Sequence, residues 1–348
     1  MRIGLRLRPF ESVSGNPFVR RARVLLLLLT LAGIVAHSAD APKAFDLAGP
    51  HTNGLGMRFV PVPGTEVLFS VYATQVRDFR AFVRESGYVH MRETADSLSR
   101  MWSQDRDGYK QRGHSWENPG FKQTEVHPVV GVSWYDAKAF CEWLTARERA
   151  AGRLPAGWEY RLPTDHEWSV AVGLVEEDGK QTSAEKDGVI KDRYPWGAEW
   201  PPPAGAGNYA GEEAGDGAWP AELTTLKGYN DGYARTAPGG SFKPNQHGLY
   251  DMGGNAWQWC EDEHRPGVRV LRGASWRSDL RVYLLSSFRY SVRPADRYDN
   301  NGFRCVVGPS SPRPKSLSNF FRLRGRLVRR QVFHGLLHSQ DAGFLHRS

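Results

Sequence analysis

The sequence predicts an α+β fold of irregular build: one domain with a few real helices, many short strands and long connections. Three observations carry this reading. The 348 residues include 37 Gly and 22 Pro, with 12 Trp scattered among them, and turn-forming residues at that density interrupt regular elements at close intervals. Few stretches space their apolar residues helically behind a capping residue, which excludes a helical bundle. The strand-like runs are short and bounded by Gly, Pro or Asp. At 40% hydrophobic and 24% charged residues the composition is globular, and the length allows a full core.

In chain order, the first feature is an export signal. Arg20, Arg21 and Arg23 precede an apolar run from Val24 to Val35, and the small residues Ala36-His37-Ser38-Ala39 follow. A basic region, an apolar run and a small-x-small site describe a signal peptide over residues 1–38. The alternative is an uncleaved anchor, although the run falls short of the roughly 20 residues that span a bilayer. No other stretch is apolar enough to span, so the mature protein is expected to be exported, periplasmic or secreted. Residues 39–53 read as a leader, 54–310 as the body and 311–348 as a basic, solvated tail.

Charge is unevenly distributed. The net charge of +8 resolves into +5 on residues 1–38, +7 on 311–348 and −4 on the body between them. A mildly acidic body argues against a nucleic-acid partner. Phe320–Arg330 mixes apolar residues with Arg and allows weak contact of the tail with an anionic membrane surface.

Within the body, residues 54–64 read as a short strand with turn residues. Thr74 is expected to cap a helix through Glu85, with Val76, Phe79, Phe82 and Val83 on one face. Residues 92–126 are polar and irregular. Ser133 then caps a second helix, with Asp136 three residues on approximating a capping box and Ala137, Phe140, Cys141 and Leu144 as its apolar stripe. Thr164 to Glu167 is a full capping box opening a short helix that carries Trp168, Ala171 and Val172. Residues 175–248 lack periodicity, and so long a loop is unusual unless something orders it. Strand-like pieces return at Gly248–Met252, Ala256–Cys260, Val268–Ser275 and Phe303–Val307.

The common catalytic signatures are missing. Gly54-Leu55-Gly56 lacks the third Gly of a dinucleotide fingerprint, and His166-Glu167 is followed by Val170 where a zinc-protease helix needs His. Neither a Gly-x-Ser-x-Gly elbow nor a Walker-type phosphate loop occurs. The three cysteines, Cys141, Cys260 and Cys305, form no Cys-x-x-Cys, which excludes a structural zinc site of ordinary spacing. Export permits a disulfide; an odd count leaves at least one thiol free.

Six phrases stand in fixed order: His127–Ala137, Tyr160–Trp168, Tyr194-Pro195-Trp196-Gly197, Gly248–Cys260, Leu271–Trp276 and Asn300–Cys305. At these residues the chain resembles the formylglycine-generating enzyme (sulfatase-modifying factor) family over roughly 54–310. The resemblance implies an irregular variant of the C-type-lectin fold stabilised by calcium. It implies one calcium set at Asn208, the Tyr209 carbonyl, Asp231 and the Tyr233 carbonyl. A second falls at Asp251, the Gly254 and Ala256 carbonyls and Gln258, where the family often has Glu. It also implies a Cys141–Cys305 disulfide.

The oxidases of this family hold copper with two cysteines shortly after the phrase that here reads Gly273-Ala274-Ser275-Trp276. No cysteine occurs between Arg277 and Arg304, so copper is not expected. The resemblance therefore leads to a binding or accessory (maturation) protein that recognises a peptide or protein ligand around Ser275–Arg297. Ser275, Trp276, Arg277, Arg289 and Arg293 are the expected pocket residues. Together with Arg281 and Arg297, these arginines suit an anionic partner, unless internal salt bridges claim them. The alternative is an oxidoreductase of the family, acting on a protein or peptide with a different metal site.

Overall fold

The computed structural model of the chain describes residues 48–89, 99–100, 115–174, 177, 181–215 and 224–310. The expected signal peptide, most of the leader and the basic tail lie outside the described residues.

Two main sheets organise the body. The short strand β1 (His51–Thr52) turns back onto β2 (Arg58–Pro61), and Asn53 closes that turn by accepting the N–H groups of Leu55 and Met57. Next to β2 lies β3 (Leu68–Ser70), then β11 (Val306–Pro309), then β5 (Trp158–Arg161), all neighbours antiparallel. The last strand of the body is thus clasped between two earlier ones. The second sheet holds β6 (Trp257–Arg265), β7 (Val268–Arg272) and β8 (Tyr290–Val292) in antiparallel order, with β10 (Asn301–Phe303) parallel to β6 at its edge. A third ladder pairs β4 (Ser99–Arg100) with β9 (Arg297–Tyr298).

The helices follow their caps. In α2 (Trp134–Ala150) the Ser133 and Asp136 side chains exchange hydrogen bonds with each other's backbone, and all four residues of the expected stripe are buried. In α3 (Asp165–Val172) Thr164 and Glu167 do the same. A single-turn α4 (Ser183–Lys186) follows within the long irregular stretch. No helix among the described residues is long and apolar enough to cross a membrane.

Three local expectations are corrected. The first helix, α1 (Val76–Ser86), is capped by Gln75 rather than Thr74. Thr74 is already committed on both backbone sides, donating to the Phe303 carbonyl and accepting from Val129, so the helix begins one residue later. Gly248–Met252 is a turn, because Gly248 and Asp251 adopt φ of +75° and +53°, which no strand accommodates. The Phe303–Val307 run splits between two sheets, with Arg304 and Cys305 bridging β10 and β11.

Aromatic packing joins α1 to α2. Phe79, Phe82, Phe140 and Phe303 are buried together, with ring centroids 5.4–6.3 Å apart for Phe79–Phe140, Phe82–Phe140, Phe79–Phe303 and Phe140–Phe303. Such pairs each add about 0.5–1.5 kcal/mol beyond burial. A smaller cluster around Phe69, Trp168, Met252, Cys260 and Val306 lies beneath α3.

Candidate functional site

The turn after β7 positions the expected pocket residues. Gly273 and Ala274 take φ of +95° and +64°, which turns the chain sharply and sends Ser275 inward. The Ser275 hydroxyl accepts from Asn300 Nδ2 at 3.0 Å, and its backbone N–H donates to Ser278 Oγ at 3.1 Å. The Trp276 indole donates to the Asp299 carbonyl, and the Arg235 and Arg277 guanidiniums lie 4.9 and 5.6 Å from its ring, with Phe121 edge-on. Ser275 and Trp276 are consequently buried, at 0% and 1% exposure.

The five arginines expected to face an anionic partner are each matched by a carboxylate of the chain itself. Arg277 pairs with Asp299, Arg281 with Asp192, Arg293 with Asp296 and Arg297 with Asp136, at 2.6–3.1 Å. Arg289 is the clearest correction. It is fully buried, clamps Glu177 with two 2.6 Å hydrogen bonds and contacts Asp165 at 3.2 Å. A guanidinium held this way is part of the core and is withdrawn from any ligand pocket. Arg297 is likewise buried against Asp136, which also accepts from Tyr88. Arg281 and Arg293 keep about half their side-chain surface exposed, at 53% and 46%.

Asp165 is the centre of the ionic core that sequence reading missed. Arg272, Arg289 and Lys186 surround its carboxylate and Ser183 donates to it. Although burial opposes ionisation, these cations hold the Asp165 carboxyl well below the usual carboxylate range. The signal available in the sequence was its place in the Thr164–Glu167 cap; nothing local pointed to its partners.

Asn208 and Tyr209 meet Asp231 and Tyr233 across a loop closure. The Asp231 carboxylate accepts the N–H groups of Tyr209 and Tyr233 at 2.8 and 3.0 Å. Asn208 donates through Nδ2 to the Arg235 carbonyl, which leaves its buried Oδ1 without a hydrogen-bond partner. Burial and the nearby Glu213 push the Asp231 carboxyl up to about 7. The orphaned Asn208 amide oxygen and the half-buried Asp231 carboxylate are hard oxygens of the kind that suits calcium, and the Tyr209 carbonyl of the expected set already accepts the Gly211 N–H. Among the described residues no three His, Cys, Asp or Glu side chains gather as a metal cluster; this set relies on amide and carbonyl oxygens instead.

In the second expected calcium set Asp251 Oδ1 is buried without a hydrogen-bond partner, but Gln258 is engaged within the chain. Gln258 Oε1 accepts from Trp168 Nε1 at 3.1 Å and from Arg304 Nε at 2.6 Å, while its Nε2 donates to the Asp251 carbonyl. Both lone pairs of that amide oxygen are already used.

Cys141 and Cys305 are brought together, with sulfurs 3.6 Å apart and unbonded, while Cys260 is buried in the cluster beneath α3. A cavity of about 720 Å³ opens elsewhere, lined by Tyr194, Trp196, Phe242, Asn245, Asp251 and Met252 among others. Its aromatic wall includes Trp196 stacked on Tyr194 at 4.9 Å.

Comparison with known proteins identifies the family. Residues 66–309 match the family described as the Sulfatase-modifying factor enzyme 1-like domain. The chain is 32% identical over 220 residues to the formylglycine-generating enzyme of Streptomyces coelicolor, covering 56% of this chain and 59% of that enzyme. It is 28% identical over 306 residues to the inactive C-alpha-formylglycine-generating enzyme 2 of Bos taurus, covering 78% of this chain and 85% of that protein. A likeness to the solved structure of PvdO from Pseudomonas aeruginosa has a TM-score of 0.47 at 18% identity and covers 77% of this chain and all of that one. With the family match spanning most of the body, and the six phrases lying in its β-sheets, caps and turns, this chain belongs to the sulfatase-modifying factor family.

Proposed function

We propose that this chain is an exported, calcium-stabilised accessory or binding member of the family that does not carry out copper-dithiol oxidation. One observation carries the proposal. The loop after Gly273–Trp276, where the family's oxidases place two copper-binding cysteines, offers Ser278 held by the Ser275 backbone and contains no thiol as far as Arg304. Copper(I) is soft and selects thiolates, and the three cysteines of this chain are buried elsewhere. The similarity to a bovine protein named as inactive supports the same reading.

Export rests on the basic and apolar pattern of residues 20–39. With its arginines paired internally, one concave surface open to a peptide or other ligand is the aromatic-walled cavity at Trp196 and Phe242. The test is incubation with copper, oxygen and a Cys-x-Pro-x-Arg peptide of the sulfatase type, followed by mass spectrometry. The thiol is expected to persist; turnover at the rate of a family oxidase refutes the proposal.

A further inference from the structure

The aromatic-walled cavity has walls that are fixed before anything enters it. Tyr194 and Gly197 exchange backbone hydrogen bonds at 2.7 and 3.0 Å, closing a tight turn that carries Trp196. The Trp196 ring stacks on Tyr194, stands edge-on to Tyr209 at 5.5 Å and donates its indole N–H to the Glu199 carbonyl. Asn245 ties the other main lining stretch to α3. Its Oδ1 accepts the His247 and Leu249 N–H groups, and its Nδ2 donates to the Ala171 carbonyl at 2.7 Å. Walls held this way cost a ligand little ordering. Trp196 and Phe242 nevertheless stay only half-buried, so aromatic surface remains for an occupant. A volume of about 720 Å³ lies in the range of small-ligand sites; it holds a side chain and its neighbours, not a folded domain.

The polar groups set the sign of that occupant. Three charged side chains line the cavity: Arg193, Lys243 and Asp251. Arg193 and Lys243 are exposed, and Lys243 has no ion-pair partner among the described residues. Asp251 is buried, and its charge is opposed by the Arg304 guanidinium. The solvent-facing field is therefore positive and attracts an anion. Ser286 also lines the cavity and is 4% exposed. Its backbone is engaged with the Arg193 carbonyl and with Arg272, while its hydroxyl has no partner among the described residues. Buried hydroxyls are ordinarily hydrogen-bonded, so the partner of this one comes from the cavity.

We propose that this cavity binds a peptide through an aromatic side chain flanked by carboxylates. The ring packs against Trp196 and Phe242, a carboxylate pairs with Lys243, and a polar group of the peptide meets the Ser286 hydroxyl. The proposal rests on the binding-protein reading above and names the class of its ligand. The test is calorimetric titration of the full chain, without copper, with the acetylated tripeptide amides Glu-Phe-Glu, Lys-Phe-Lys and Glu-Ala-Glu. Glu-Phe-Glu is expected to bind saturably, and the other two at least tenfold more weakly. Lys243→Glu and Trp196→Ala are each expected to weaken Glu-Phe-Glu binding at least tenfold. Trp196→Ala also removes packing on Tyr194, so Phe242→Ala, in the other lining stretch, is measured beside it. Leu280→Ser, at an exposed position outside the cavity, is expected to bind as wild type does. Equal binding of the three peptides, or Glu-Phe-Glu binding that Lys243→Glu leaves unchanged, overturns the proposal. Absence of binding by all three overturns it too, while the accessory reading stands or falls separately on the copper and thiol-peptide incubation.

Discussion

The Cys141 and Cys305 sulfurs lie 3.6 Å apart although 164 positions separate the residues in sequence. Both side chains are buried between α2 and the β10–β11 junction, and burial together with the neighbouring Cys305 thiol raises the Cys141 thiol well above its ordinary value. In an oxidising compartment these two are expected to pair while Cys260 stays reduced. Chain-entropy models assign about 4–5 kcal/mol to so long a loop, and measured gains are usually smaller. Peptide mapping without reductant is expected to recover the Cys141 and Cys305 peptides joined. Recovery of both as alkylated monomers refutes the pairing.

The Asp165 carboxylate compensates the buried guanidiniums of Arg272 and Arg289 and the Lys186 ammonium. Removing a buried charge leaves its partners unpaired, which costs about 3–5 kcal/mol. Asp165→Ala is therefore expected to lower the unfolding free energy by that amount, measured by denaturant titration. Arg293→Ala, whose pair with Asp296 is about half exposed on the arginine side, is expected to cost under about 1 kcal/mol. Equal costs for the two variants would show that the ionic core has no special weight.

Asp78 provides a pH signature. Burial pushes its carboxyl up to about 6, even though the carboxylate accepts the Gln75 backbone N–H at the start of α1. The folded state therefore binds this proton more tightly than the unfolded chain, whose aspartate titrates near 3.9. Between about pH 4 and 6 the group's contribution to stability falls as pH rises. Asp78→Asn keeps an oxygen for the Gln75 N–H and removes the charge. Relative to wild type, the variant is expected to gain about 2–3 kcal/mol on going from pH 4 to 7. Parallel stability curves for the two proteins would contradict this.

Calcium removal tests the Asn208–Asp231 set. Chelator is expected to lower the melting temperature of the wild type, because binding that is specific to the folded state stabilises by mass action. Asp231→Asn keeps one oxygen acceptor, for the Tyr209 or the Tyr233 N–H, but removes the set's only carboxylate charge, and its melting temperature is expected to respond weakly to chelator. An unchanged wild-type melting temperature sinks the calcium claim.

The caps at Ser133–Asp136 and Thr164–Glu167 and the apolar stripe of α2 were legible from sequence, because they depend on residue types three or four positions apart. The family was legible too, since its phrases are local strings. The cap of α1 was misread by one residue because the Thr74 backbone is claimed by Phe303 and Val129, which only the assembled sheets bring to it. Arg289 and Arg297 looked like part of a ligand surface because their carboxylates are remote: Glu177 is 112 positions from Arg289, and Asp136 is 161 from Arg297. Gln258 looked like a weak metal ligand for the same reason, since Arg304 enters its turn from 46 positions away. Hydrogen bonds between near neighbours are written in the order of residue types. The partner of a buried charge is chosen by where the chain returns, and that return exists only once the sheets have closed.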